Sequence, residues 1–126
     1  LHEPPKDWRR LFAFIDRAHR AGEGYGFNRD PDGLWTEGTA QAAAVARLSG
    51  LSDKAQPLWS VLLAQQAGNC WLFATPAERI STGLAIGPDS VSNDFFYYHL
   101  PHLGATAWAA IAATGVNPFT GLREAD

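Results

Sequence analysis

The chain has 126 residues, and its ten Lys and Arg are outnumbered by thirteen Asp and Glu and never cluster, which argues against nucleic acid as a partner. Hydrophobic residues make up 46% and charged residues 18%, the balance of a globular chain rather than a disordered one. The longest apolar runs, 42–46 and 108–113, fall far short of the ~20 residues that span a bilayer, so the sequence argues against a membrane partner too.

The chain opens at Leu1 and contains no Met, and it reads as a single partial domain, a fragment or processed piece whose preceding part is out of view. Its one cysteine, Cys70, excludes an internal disulfide, and the neighbours Trp71, Leu72 and Phe73 predict a buried thiol.

After Pro4 and Pro5, a helix is predicted from an N-cap at Asp7, with Trp8, Leu11, Phe12, Ile15 and Ala18 at helical spacing, ending near Ala21. Gly22, Gly24, Gly26, Pro31 and Gly33 then interrupt a stretch containing Tyr25 and Phe27, which reads as an extended, aromatic-studded loop. Thr36 is the expected N-cap of a second helix, closed by Gly50. Ala40, Ala42, Ala43, Ala44 and Ala46 give this helix little side chain of its own to bury, so it needs close neighbours and should lie inside.

A third helix is predicted from Ser52 to Gly68, with Ala55, Leu58, Trp59, Leu62 and Leu63 on one face and Pro57 tolerated early in its course. From Asn69 to His102 the residues turn to Gly, Ser, Pro and aromatics without helical periodicity, a loop long enough to be functional or to carry structure of its own. A fourth, small-sided helix runs from Leu103 or Gly104 to Thr114, with Gly115 as its stop. It shares Thr-Ala-x-Ala-Ala with the second helix, which points to a repeated helical hairpin with tight turns at one rim and long loops at the other. The long-loop rim, where both small-sided helices begin, is the expected binding face.

Several segments together resemble a known family. Trp35-Thr36-Glu37-Gly38-Thr39-Ala40-Gln41, Ser81-Thr82-Gly83, Tyr97-Tyr98, His102-Leu103-Gly104-Ala105-Thr106-Ala107-Trp108 and Gly115-Val116-Asn117-Pro118-Phe119 are similar to the C-terminal part of bacterial α/α-toroid proteins of the six-hairpin glycosidase type. The resemblance implies an all-α fold in which this chain forms about two helical hairpins of a larger toroid, with long aromatic loops at one rim. It also implies an oligosaccharide as partner, bound at the N-termini of the inner helices, and the remaining hairpins of the parent chain as a second partner. Some members carry their general acid in a Glu-Gly pair opening an inner helix, which looks like Glu37-Gly38 here.

Read as residues, Glu37 lies between Trp35 and a close-packed helix start, a setting suited to proton donation, with a capping or structural role in the field of the helix dipole the stronger reading. His102 is the second candidate for acid–base work, because an imidazole titrates near neutrality without tuning. Trp35, Tyr97 and Tyr98 offer flat faces for pyranose rings, with His99 and Asp32 as further substrate-binding residues; packing and turn roles are the alternatives. Glycoside hydrolysis commonly needs a second carboxyl, for which Asp30, Asp32 and Asp94 are available. Asn28-Arg29-Asp30-Pro31-Asp32-Gly33 starts like a calcium loop, but Thr39 stands where the bidentate Glu belongs. His99 and His102 are too few for zinc, so neither a metal nor another cofactor is expected. The competing reading is a non-catalytic helical-repeat module. An isoprenoid-cyclase-like toroid is disfavoured, since no acid-rich motif for diphosphate stands in the sequence.

Overall fold

A computed structural model describes residues 7–30, 32–89 and 95–123; Pro4, Pro5, Pro31 and Asp94 lie outside them. The first helix, α1 (Trp8–His19), is capped by the Asp7 carboxylate, which accepts from the Arg10 backbone N–H at 3.3 Å. It ends before Ala21 because Arg20 turns extended and opens a strand pair, β1 (Arg20–Ala21) with β2 (Gly24–Tyr25), antiparallel across Gly22 and Glu23.

The small-sided helix is α2 (Thr36–Leu48), and the residue at its cap is Trp35 rather than Thr36. The Thr36 backbone N–H donates to the Ala74 carbonyl, and its buried hydroxyl has no hydrogen-bond partner among the described residues. A tight turn leads into α3 (Ser52–Ala64), which runs unbroken through Pro57 and stops short of Gly68. The stretch that follows holds β3 (Arg79–Ser81) and β4 (Phe96–Tyr98), paired antiparallel with Ile80 opposite Tyr97. The last helix, α4 (Leu103–Thr114), begins at His102, whose ring Nδ1 accepts from the Ala105 N–H at 3.1 Å.

The all-α expectation is therefore corrected. Two small antiparallel sheets occupy stretches that read as loops and, at Arg20–Ala21, the expected end of the first helix, and the chain is a mixed α/β fold rather than plain helical hairpins of a toroid. The strands are two and three residues long, too short for apolar alternation to register in the sequence. Cys70 is a second correction: it is exposed, in a left-handed backbone conformation within the turn after Ala67, so its apolar neighbours do not bury it.

Helices α2 and α4 lie side by side and run in the same direction. Glu37 meets Gly104 at their N-terminal ends, and the Arg47 guanidinium donates to the Ala112 and Ala113 carbonyls, at 3.0 and 2.6 Å, at their C-terminal ends. Small side chains make this approach possible. Ala40, Ala43, Ala44 and Ala46 pack with Ala105, Ala109 and Ala112 in one cluster, which Leu58 and Leu62 of α3 and Phe12 of α1 complete.

Outside this cluster, α1 is tied to β2 and α3 through Asp16, which accepts from the Tyr25 hydroxyl at 2.8 Å and from Lys54 Nζ at 2.7 Å. Burial pushes the Asp16 carboxyl up, but the hydrogen bonds from Lys54 and Tyr25 and the charges of Lys54 and Arg20 outweigh it and hold the carboxyl below its ordinary value. A carboxyl whose pKa is lower folded than unfolded contributes stability that is present above the unfolded value, about 3.9, and is lost as pH falls through the folded one. The wild-type melting temperature is thus expected to drop below about pH 4 more steeply than that of Asp16→Asn, as thermal melts across that window would read. Parallel acid profiles would remove Asp16 from this role.

Candidate functional site

The site grows from the close contact of α2 and α4. Glu37 is in the first turn of α2, and its carboxylate rests on Gly104 in the first turn of α4, so closely that a Cβ there would overlap Oε2 and lie 2.7 Å from Cδ. A side chain at this position would push the carboxylate aside. Gly38 is required for a similar reason, because the Trp35 indole folds back over it and occupies the space of a side chain.

Glu37 Oε1 accepts from the Gln41 side-chain amide at 3.4 Å, and Oε2 stands 3.7 Å from His102 Nδ1. The Glu37 side chain is 19% exposed and that of His102 30%, so both are largely withdrawn from water yet open to it on one side. The neutral imidazole that caps α4 must carry its proton on Nε2, because Nδ1 receives the Ala105 N–H.

An aromatic group surrounds this pair. The Tyr97 ring meets the His102 imidazole edge-on at 5.3 Å and lies 5.9 Å from the Trp35 ring. Phe27 packs edge-to-face on Trp35 at 4.8 Å and lies 5.7 Å from Tyr97. Burial, and then the Glu37 charge, push the Tyr97 hydroxyl above its ordinary range; the Trp35 indole acts in the opposite sense without reaching hydrogen-bonding geometry. Trp35 Nε1 is buried and has no hydrogen-bond partner among the described residues. Beside the group opens a cleft of about 210 Å³, lined by His19, Tyr25, Phe27, Trp35 and Gln41 among others. A larger hollow of about 330 Å³ lies toward the other end of α2, between Arg47, Ser52 and Trp59, and no carboxyl or imidazole lines it.

Four of the predicted site residues, Glu37, His102, Trp35 and Tyr97, come together here. The other three do not. Tyr98, 48% exposed, follows Tyr97 in β4 and shares the face of Phe96, its ring 6.3 Å away; successive strand side chains point to opposite faces. His99 donates from Nδ1 to the Thr75 carbonyl at 2.7 Å and stacks on Phe73 at 3.9 Å, so it joins two loop segments. Asp32 Oδ2 accepts the Ser81 N–H at 2.6 Å and holds the loop before α2 to β3. Burial and the nearby Asp30 carboxylate push Asp32 above its ordinary value, against the Ser81 hydrogen bond. Asp30 and Asn28 bond to each other, Asn28 Nδ2 to Asp30 Oδ2 at 3.1 Å and the Asp30 N–H to Asn28 Oδ1 at 3.2 Å, as in plain turn chemistry.

Phe27, Gln41 and Gly104 are not among the site residues expected from the sequence. Gln41 carried a signal, since it follows Glu37 by one helical turn, whereas Phe27 reaches Trp35 only through the fold. Among the described residues no three His, Cys, Asp or Glu side chains converge as a metal site, and no helix is long and apolar enough to cross a membrane.

Compared with known proteins, the chain matches no family model, no curated protein and no solved structure.

Proposed function

We propose that this chain carries the proton-donor side of a saccharide-binding cleft in a glycoside hydrolase. The observation that carries the reading is the setting of Glu37: a carboxyl largely withdrawn from water, seated on Gly104 and approached by side chains, Gln41 and His102, rather than folded back onto backbone donors. Trp35, Phe27 and Tyr97 supply the flat apolar surfaces that favour the faces of pyranose rings.

In this reading Glu37, once it has taken up a proton, passes it to the glycosidic oxygen as the bond to the anomeric carbon breaks and water or a nucleophile outside the described residues bonds to that carbon, and His102 offers Nε2–H as a neutral donor to a sugar oxygen. Asp32, committed to Ser81, is not the second carboxyl. In this reading the facing wall of the cleft lies outside the described residues, and Leu103, in the first turn of the uncharged helix α4, and Phe119, beyond its end, are exposed apolar residues for it to cover.

The test is a titration of the full protein, wild type and Glu37→Gln, against a panel of oligosaccharides with product analysis. Glu37→Gln is expected to bind as the wild type does and to lose turnover by about 100-fold or more. Absence of binding by both forms to every sugar in the panel would sink the carbohydrate reading.

A further inference from the structure

The Nδ1 atom of His102 has two claimants. The Ala105 N–H donates to it at 3.1 Å, which requires a lone pair, while Glu37 Oε2 at 3.7 Å is an acceptor that only a protonated Nδ1 can use. One atom cannot serve both at once. The two claimants sit on different helices, Ala105 on α4 and Glu37 on α2, and the proton on the ring decides between them.

We propose that His102 is a proton-operated latch on Glu37: neutral, it caps α4 and leaves the carboxylate to Gln41; protonated, it releases the cap and draws Glu37 Oε2 into an ion pair. The ring is well held for such an exchange. The His102 N–H donates to the Leu72 carbonyl at 2.8 Å, and the His102 carbonyl accepts from the Thr106 hydroxyl at 2.8 Å, so the backbone stays in place while the ring changes partner. Gly104 backs the carboxylate, and the edge of Tyr97 lies against the imidazole.

The surroundings of the ring limit what else takes part. From α2 comes Glu37, with the uncharged Gln41 behind it, and from β4 comes Tyr97, whose hydroxyl is held above its ordinary range and stays neutral wherever an imidazole titrates. The segment at Leu72 contributes backbone, and α4 has no charged side chain, only the positive end of its dipole. Glu37 is the charged side chain that faces the ring. The latch rests on the proposed function only in naming Glu37 as the working carboxyl; the exchange itself needs no substrate.

The experiment is NMR of the full chain without ligand, following the His102 ring nitrogens, the Ala105 amide and the Glu37 side-chain carboxyl carbon from about pH 8 to about pH 5. The expected result is the Nε2–H tautomer at the upper end, then protonation of Nδ1 with simultaneous movement of all three signals. Hydrogen exchange at Ala105, corrected for intrinsic rate, should become roughly tenfold faster when the cap is lost. In His102→Asn, which keeps a side chain suited to capping but cannot take the proton, the Ala105 amide should not respond to pH. In Glu37→Gln the neutral ring should still cap α4. An Nδ1–H tautomer at the upper pH, or an Ala105 amide indifferent to ring protonation in the wild type, overturns the proposal. The oligosaccharide panel fails or succeeds separately: a working latch in a protein that binds no sugar would leave the latch standing and remove only the carbohydrate reading.

Discussion

On the proposed reading of Glu37 as a proton donor, replacing Gly104 with Ala is expected to lower turnover of a bound saccharide by about 100-fold, because it shifts the Glu37 carboxylate from its seat on α4 by a distance of the order that costs that much. The added methyl would overlap the Glu37 carboxylate, the far end of a flexible side chain, so the carboxylate is what gives way. Overpacking at such a contact costs about 1–3 kcal/mol, so the variant should fold with a lowered melting temperature. A readout independent of any sugar is available in Tyr97. Burial and the Glu37 charge hold its hydroxyl above the ordinary tyrosine range, and loss of the nearby carboxylate should bring it part of the way back in an ultraviolet titration. Unchanged Tyr97 titration together with unchanged turnover would mean that α2 and α4 have room to separate, contrary to the close packing described.

Phe12→Ala is expected to cost about 3–5 kcal/mol, a large part of the roughly 5–15 kcal/mol that holds a domain of this size together. Phe12 is 1% exposed, the largest side chain buried so completely, and it is the buried residue by which α1 joins the cluster of α2, α3 and α4. Losing the ring leaves a cavity at the edge of the cluster. Leu11, its neighbour on α1, is 42% exposed, and Leu11→Ala should change stability far less. Denaturant unfolding of the two variants beside the wild type makes the comparison. A loss below about 1 kcal/mol for Phe12→Ala would show that α1 is not part of the cooperative unit.

The helices were legible because their signals are local. Asp7 accepts from Arg10 at the start of α1, and α4 ends at Gly115 as its glycine implies. The alanine pattern of 40–46 foretold an inner position, since a helix without bulky side chains is stabilised only by close neighbours. The strands were not legible. Segments of two and three residues are held by backbone pairing to partners elsewhere in the chain, Arg79 with Tyr98 and Arg20 with Tyr25, and carry too few side chains to display a period.

For the site the division is similar. Glu37, Trp35 and Gln41 belong to one helix start, so their nearness follows from the helical repeat and is readable by itself. That Tyr97 faces Trp35 while Tyr98 turns away depends on the register of β4 against β3, which places alternate residues on opposite faces. The seat of Glu37 on Gly104 and the approach of His102 depend on α2 and α4 lying in parallel contact, a relation between segments more than sixty residues apart. Sequence alone thus determined where the helices lie, which of them are small-sided and which carboxyl opens α2, because these follow from steric and capping preferences acting over a few residues. Only the tertiary structure decided which aromatic rings and which imidazole meet that carboxyl, because strand register and helix contact are set by long-range packing and leave no local trace.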